Sequence, residues 1–458
     1  MLLWIGLGLI VAAIIPYIIF FIGISVGKRP GEPPALKEYP SISIIISAYN
    51  EEAVIQKRVD NILASSYPVD RYEVIFVDDC SSDNTRALSE EAFQRAGITH
   101  RIIANTERMG TNRSYNKAMQ VARFPIIVTT DADVFFEREA LARLISRLVS
   151  DDRIAAVCGD LHPLPDDGSH PAQMESAYRN YYGRMCTWES AVDSTYTFNG
   201  ALVAFKRDLV TRIDDKRGAD DANTAFEAIR RGFRTAYEPS ALVYEDIPRD
   251  FHKQYRQKIR RATRLIEATT ANLDLLRHAR PFSRFFYPLR IYMYLVTPAL
   301  FFAGSALFIA GLALAFPILA LGLICLIALV GYFWRSSTLI SFATNQVYLA
   351  KGLLNLGKDM RPCKRTISSC RIDSSTHVRH RRATATFGRD GGSRSDPANV
   401  RPSSAPRARR GRDLRRRDGG ARSPPPGDHR PLRGGASADA ERGRDALAGL
   451  QWGDLQLQ

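Results

Sequence analysis

Residues 2–27 (LLWIGLGLIVAAIIPYIIFFIGISVG) carry no charged side chain. About 20 apolar residues in a helix cross the hydrocarbon of a bilayer, so this run constrains the chain more than any other feature. A cleaved signal peptide has a shorter apolar core behind a charged start, and this run has neither property. A second apolar block covers residues 291–334 and is divided at Phe316-Pro317, which is long enough for two passes with a tight turn. Lys28 and Arg29 follow the first run. Arg277, Arg280, Arg284 and Arg290 precede the second, and Arg335 follows the third. Flanks rich in Lys and Arg stay in the cytoplasm. The expectation is a multi-pass protein of the cell membrane with residues 28–290 in the cytoplasm. Residues 271–290 read as a juxtamembrane segment and 335–358 as an interfacial helix.

The net charge of +15 raises the idea of nucleic-acid binding, but its distribution argues against it. Residues 361–458 hold 22 Lys/Arg against 10 Asp/Glu, which leaves +3 for the first 360 residues. That tail has two aromatics, Phe387 and Trp452, and runs such as RARRGRDLRRRDGG and SPPPGD. It buries too little apolar surface to offset chain entropy, so a basic disordered tail is expected. Its sharp onset after Met360 is also what an out-of-frame read produces, and no function is assigned to it. Membrane lipid suits its charge, and no specific nucleic acid is expected as a partner. Six cysteines (80, 158, 186, 325, 363, 370) form no CxxC pair, so neither a disulfide framework nor a zinc site is indicated.

Between the apolar blocks, strand and helix patterns alternate. SISIIIS (41–47), YEVIFVDD (72–79) and residues 101–104, 125–130 and 154–158 read as buried strands. Helices are expected from Glu52 to about Ala64, from Asn84 onward, and over 113–122 and 137–149. Such alternation predicts an α/β fold with a mostly parallel sheet covered on both faces. Ligands of these sheets bind beyond the carboxyl ends of the strands, which is where the polar motifs fall.

The first strand ends in Ser47-Ala48-Tyr49-Asn50-Glu51-Glu52, and the second in Asp78-Asp79-Cys80-Ser81-Ser82-Asp83-Asn84-Thr85. Carboxylates and amides there suit a nucleotide base and ribose. Capping of the next helix by Asp83 or Asn84 is the plainer reading. The fourth strand ends in Thr129-Thr130-Asp131-Ala132-Asp133. Two carboxylates one residue apart repel each other. A hard cation, Mg2+ or Mn2+, resolves that repulsion and takes substrate phosphates as further ligands, although a solvated pair also arises by chance. Gly218-Ala219-Asp220-Asp221-Ala222 opens a helix that closes at Gly232. Both carboxylates cannot cap it, so one is spare to deprotonate an acceptor hydroxyl. Residues Gln254 to Arg261 add cations that suit either a diphosphate or lipid headgroups. His162, His170 and His252 read as surface residues, and Trp188 and Glu189 as core packing or the border of an acceptor site. No P-loop, GxSxG, HExxH or GxGxxG occurs.

The order of the motifs adds to this. ISAYNEE, VDDCSSDNT, TDAD, GALVAFKRD (200–208), ADDANTAFEAIRRGFR and QKIRR together resemble the inverting family-2 glycosyltransferases of GT-A fold, over roughly residues 40–270. The flanking helices are placed as in membrane-bound members such as hyaluronan and poly-N-acetylglucosamine synthases. The resemblance implies a metal-dependent enzyme that takes a nucleotide-diphosphate sugar, with UDP the commonest nucleotide, and a lipid-linked or glycan acceptor. It implies that Glu51 and Asp79 contact the nucleotide and that Asp131 lies by the diphosphate and, with Asp133, at the metal. Asp221 matches the catalytic base, with Asp220 in the preceding acidic position. Gln257 and Arg260 match the first and fourth positions of the family's QxxRW motif. The tryptophan itself is replaced by Arg261, which removes a stacking platform for a sugar and favours transfer of one or a few sugars over processive polymerisation. A nucleotidyltransferase would need a basic glycine-rich loop after the first strand, which ISAYNEE lacks. A non-catalytic membrane scaffold is the remaining rival.

Overall fold

The structure, a computed structural model, describes residues 1–28, 30–164, 170–215, 218, 220–246, 251–333 and 338–356. The expected tail (361–458) and Arg335 lie outside the described residues, as do the side chains of His170 and Asp220. β1 (Ile42–Ala48) is buried on both faces. Ile42, Ile44 and Ile46 join one core layer with Val59, Ile62 and Phe93, and Ile45 joins the other with Tyr115, Ile127 and Phe226. A strand buried on both sides is what a sheet between two helix layers requires. After α2 (Ile55–Leu63), β2 (Tyr72–Asp78) pairs parallel to β1, and α3 (Thr85–Ala96) returns the chain to β3 (His100–Ala104). α4 (Thr111–Met119) then crosses to β4 (Ile126–Asp131) on the other side of β1. The chain continues through β5 (Val134–Phe136), α5 (Ala140–Val149), β6 (Ile154–Pro163), α6 (His170–Val192), β7 (Leu202–Lys206), α7 (Asp220–Arg230), β8 (Arg234–Glu245) and α8 (Phe251–Ala271). The eight strands form one sheet in the order β3-β2-β1-β4-β7-β6-β8-β5.

Six of the eight strands run in one direction, as a mostly parallel sheet requires. β7 runs antiparallel to β4 and β6, and β5 antiparallel to β8, so the sheet is mixed. The parallel order breaks at β7, because α6 takes the chain to the start of β8, where Thr195 meets Thr235, and residues 195–201 run back to enter β7 at the carboxyl edge. The segment ALVAF carries a motif in the sequence, but nothing local marks its direction. The carboxyl ends of β1, β2, β3, β4, β6 and β8 nonetheless share one edge, and β7 starts there too.

Among the described residues, α1 (Leu2–Val26) and α9 (Phe282–Ala315) are the two helices long and apolar enough to cross a bilayer. They run antiparallel, with Gly304 against Leu9 and Ile10 and Gly311 against Leu3. A Cβ on Gly304 would lie 2.9 Å from that of Leu9, an approach that small residues permit. α9 starts at Phe282, so the expected juxtamembrane segment is divided between a short 3-10 turn, Leu273–Arg277, and the first turns of this helix. Arg290, expected as a flanking cation, is buried and lies 2.6 Å from Glu189 of α6. α10 (Pro317–Phe333), expected as a third span, has 17 described residues, fewer than the roughly 20 a span needs. α11 (Thr338–Leu354) follows and packs on α8. Trp188 of α6 seats against Gly23 of α1 and Gly27 just after it, and meets Phe286 edge-on at 5.0 Å, which ties the sheet domain to the helix pair.

Candidate active site

The loops after β1 and β2 lock into each other. Asn50 and Cys80 both adopt left-handed backbone, at φ 58° and 65°, a conformation that asparagine tolerates better than most residues. The Asn50 N–H donates to Ser81 Oγ (3.0 Å), and the Ser82 N–H donates to Asn50 Oδ1 (2.8 Å). The Glu51 N–H donates to Thr85 Oγ1 (2.7 Å), and the Asn84 N–H to Glu52 Oε2 (3.0 Å). Asp83 accepts the Thr85 N–H at 3.0 Å, in the manner of a helix cap. The backbone is thus held rigidly where the Glu51 side chain meets the sheet edge.

Asp79 sits behind this surface. Its carboxylate is buried and accepts from Asn105 Nδ2 (2.9 Å), the Met109 N–H (2.8 Å), the Gly110 N–H (2.8 Å) and Ser114 Oγ (3.4 Å). Both oxygens therefore hold the loop that enters α4. Asp79, expected from sequence at the nucleotide, thus takes hydrogen bonds from residues 105–114.

Asp131 closes β4 opposite Ser47, and Asp133 follows one buried alanine later. Loss of hydration and then the charge of Glu245 raise the Asp133 pKa. Partial burial, then the charges of Asp133 and Asp83, push Glu51 up to about 7. Glu245 therefore repels Asp133, and Asp133 repels Glu51, a tension that a cation relieves. Among the described residues no three His, Cys, Asp or Glu side chains converge into a complete metal site. The donor set fits Mg2+ or Mn2+ held by one or two carboxylates, with phosphate oxygens and water as the other ligands. Beneath the turn lies Arg58, fully buried and lowered to about 9 by its desolvation, against which the charges of Asp131 and Asp133 act.

On the other side of β4, Gly200 precedes β7 at φ +78°, and a Cβ built there would lie 3.5 Å from Asp221 Oδ2. Asp221 Oδ1 accepts the Ala222 N–H at 2.8 Å at the start of α7. The neighbouring strand end carries Asp160, which accepts Tyr237 Oη (2.7 Å) and lies 3.0 Å from His162 Nε2. His162, read from sequence as a surface residue, is half-buried at this edge.

α8 closes the site with cations. Arg261 lies 2.6 Å from Glu245 Oε1, and Gln257 Nε2 donates to the same oxygen at 3.4 Å. Burial and the charges of Arg264, Arg261 and Arg108 lower the Arg260 pKa, so these guanidinium groups crowd together. Arg108 reaches back over the Tyr49 ring at 3.8 Å. The sequence reading names neither Glu245, Arg108 nor Arg58. Glu245 lies in an ordinary alternating strand, and the two arginines look like surface charges.

Asp131, Asp133, Glu51, Asp221, Gln257 and Arg260 thus come from distant segments and share the carboxyl edge of one sheet. Residues 43–209 match the family model described as Glycosyl transferase family 2. The chain carries a family-2 glycosyltransferase domain. The chain is 25% identical over 233 residues to the "Probable glycosyltransferase YdaM" of Bacillus subtilis, a match that covers 49% of this chain and 55% of that protein. It is 24% identical over 255 residues to the poly-beta-1,6-N-acetyl-D-glucosamine synthase of Staphylococcus aureus, covering 55% of this chain and 60% of that one. The chain therefore spans 55% and 60% of the length of these two relatives. Among solved structures, a mannosyltransferase from Pyrobaculum calidifontis in complex with GDP-Man and Mn2+ superposes with a TM-score of 0.66 at 26% identity. That match covers 78% of this chain and 100% of the other. The sheet is of the GT-A-like mixed α/β kind.

Proposed function

We propose that this glycosyltransferase moves a sugar, with inversion, from a nucleotide-diphosphate donor to a hydroxyl of a lipid-linked or glycan acceptor at the inner face of the cell membrane. One observation carries the reading. At a single sheet edge, Asp133 stands between two carboxylates that it repels or is repelled by (Glu51, Glu245), near crowded guanidinium groups (Arg108, Arg260, Arg264). A cation with a diphosphate suits that layout. The complex of the Pyrobaculum calidifontis enzyme with GDP-Man and Mn2+ supports the same pairing, while UDP is the donor nucleotide expected from sequence.

In this reading Asp133 and Asp131 hold Mg2+ or Mn2+, which when bound supplies Lewis-acid stabilisation of the departing diphosphate. Arg260 meets the diphosphate and Glu51 faces the nucleotide. Asp79 acts one step back by holding residues 105–110, and Gln257 acts through Glu245. Asp221 takes the proton from the acceptor hydroxyl as that oxygen forms its bond to the anomeric carbon. The bond from that carbon to the diphosphate oxygen breaks on the opposite face. α1 and α9 anchor the domain, and their antiparallel packing supports a catalytic domain on the side of Lys28, the cytoplasmic side by its charge. Arg261, committed to Glu245, favours transfer of one or a few sugars.

The test is nucleotide release by the purified full chain given UDP-GlcNAc, UDP-glucose or GDP-mannose, with Mn2+ or with EDTA. Turnover of one donor, abolished by EDTA, is expected. Turnover that survives EDTA would remove the cation from the scheme, and no turnover with any nucleotide sugar would remove the donor class.

A further inference from the structure

We propose that Arg58 and Asn61, one turn apart on α2, form a clamp that positions the Asp131–Asp133 turn from beneath. The inference rests on the reading of that turn as the cation site. Arg58 is fully buried, and its Nε has no partner. Its Nη2 donates to Thr130 Oγ1 at 2.8 Å, and its Nη1 donates to Asn61 Oδ1 at 2.9 Å. The guanidinium lies 4.0 Å from the centroid of the Phe136 ring. Asn61 in turn holds the backbone of Phe136 from both sides, accepting its N–H (2.8 Å) and donating to its carbonyl (3.0 Å). Thr130 precedes Asp131, and Phe136 ends the short strand after Asp133. One side chain of the clamp therefore grips each leg of the acidic turn.

Burying a guanidinium without a carboxylate in contact is costly, and an apolar residue of similar length would fill the space at less cost. What the arginine adds is a fork that spans two partners and a positive charge beneath two aspartates. The hydroxyl it reaches also extends further, because Thr130 Oγ1 donates to the Ala201 carbonyl at 2.7 Å. Ala201 follows Gly200, the residue packed against Asp221. A single hydroxyl thus joins the clamp to the loop beside the proposed base. Arg58 and Asn61 touch no substrate in this scheme and are positioning residues.

The experiment follows Mn2+ binding to the full chain by electron paramagnetic resonance, with Mn2+ alone and with UDP or GDP added. Arg58→Lys keeps the charge and loses the fork, Thr130→Val keeps the shape and loses the hydroxyl, and Thr130→Ser restores the hydroxyl. Residues that orient metal ligands typically change affinity by about tenfold or more. Loss on that scale is expected for Arg58→Lys and Thr130→Val, with Thr130→Ser near wild type. A general loss of packing would weaken Thr130→Ser as well. Wild-type binding with all three variants within about twofold of it on that same scale overturns the clamp and leaves the metal site standing. A wild type that binds no Mn2+ even with UDP or GDP overturns both.

Discussion

Arg261 on α8 places a guanidinium nitrogen 2.6 Å from Glu245 Oε1, at the end of β8. Glu245 faces Val134 across the β5–β8 pairing, next to Asp133 in the chain. After lost hydration, the Glu245 charge is the main reason the Asp133 pKa is raised. The residue that stands in place of the family's tryptophan therefore offsets negative charge at the acidic edge. It offers no ring to a sugar.

Arg261→Trp exchanges that cation for a stacking surface. The pair is partly exposed and worth at most about 1 kcal/mol, and Glu245 keeps Arg179 and Gln257 as partners. Thermal stability should therefore change little. Longer products are expected by mass spectrometry, and an unchanged length distribution would mean that Arg261 does not set product length.

Glu51 supplies a pH signature. Its carboxyl sits at about 7, not 4.5, through partial burial and then the charges of Asp133 and Asp83. The folded protein holds this proton more tightly than the unfolded chain does. Stability of the metal-free protein is then lost as pH rises from about 4.5 to about 7, and levels off above that. Glu51→Gln removes the titration, so its thermal-stability advantage over wild type should grow between pH 5 and pH 7.5. Parallel curves for the two proteins across that range would contradict the raised carboxyl.

Much of the site is legible in sequence because strand ends are local features. An apolar run followed by Asp131 and Asp133 marks a carboxyl edge whatever its neighbours are. Partnership across the fold is not local. Nothing in VDDCSSDNT reveals that both Asp79 oxygens accept from residues 105–114. Arg58 lies in a helix of mixed polarity and reads as exposed until β4 and β5 are laid over it. β7 has strand composition but takes its direction from residues 195–201, which run back from the start of β8 to the carboxyl edge. Arg290 reads as a membrane-flanking cation because Glu189, its partner, lies 101 residues away.

Asp221→Asn tests the base. The variant keeps the size of the side chain and an oxygen for the Ala222 N–H, so the fold should hold. Removal of a general base costs roughly 10²–10⁴ in rate, and transfer should fall on that scale. Mn2+ affinity should stay near wild type, because Asp221 faces Gly200 and is not part of the acidic turn. Transfer at the wild-type rate would remove Asp221 as the base.

Gly200 separates backbone strain from the chemistry beside it. At φ +78° an L-residue costs about 1–2 kcal/mol, while a Cβ 3.5 Å from Asp221 Oδ2 is only in ordinary contact. Gly200→Ala should therefore lower thermal stability through its backbone and leave Asp221 nearly in place. Asparagine tolerates this conformation better but brings an amide against the Asp221 carboxylate. Gly200→Asn should be the more stable of the two and the slower in transfer, with kcat reduced more than the donor KM rises. If the two variants rank the same way in stability and in kcat, activity there follows folding alone, and the loop before β7 has no separate hold on the base.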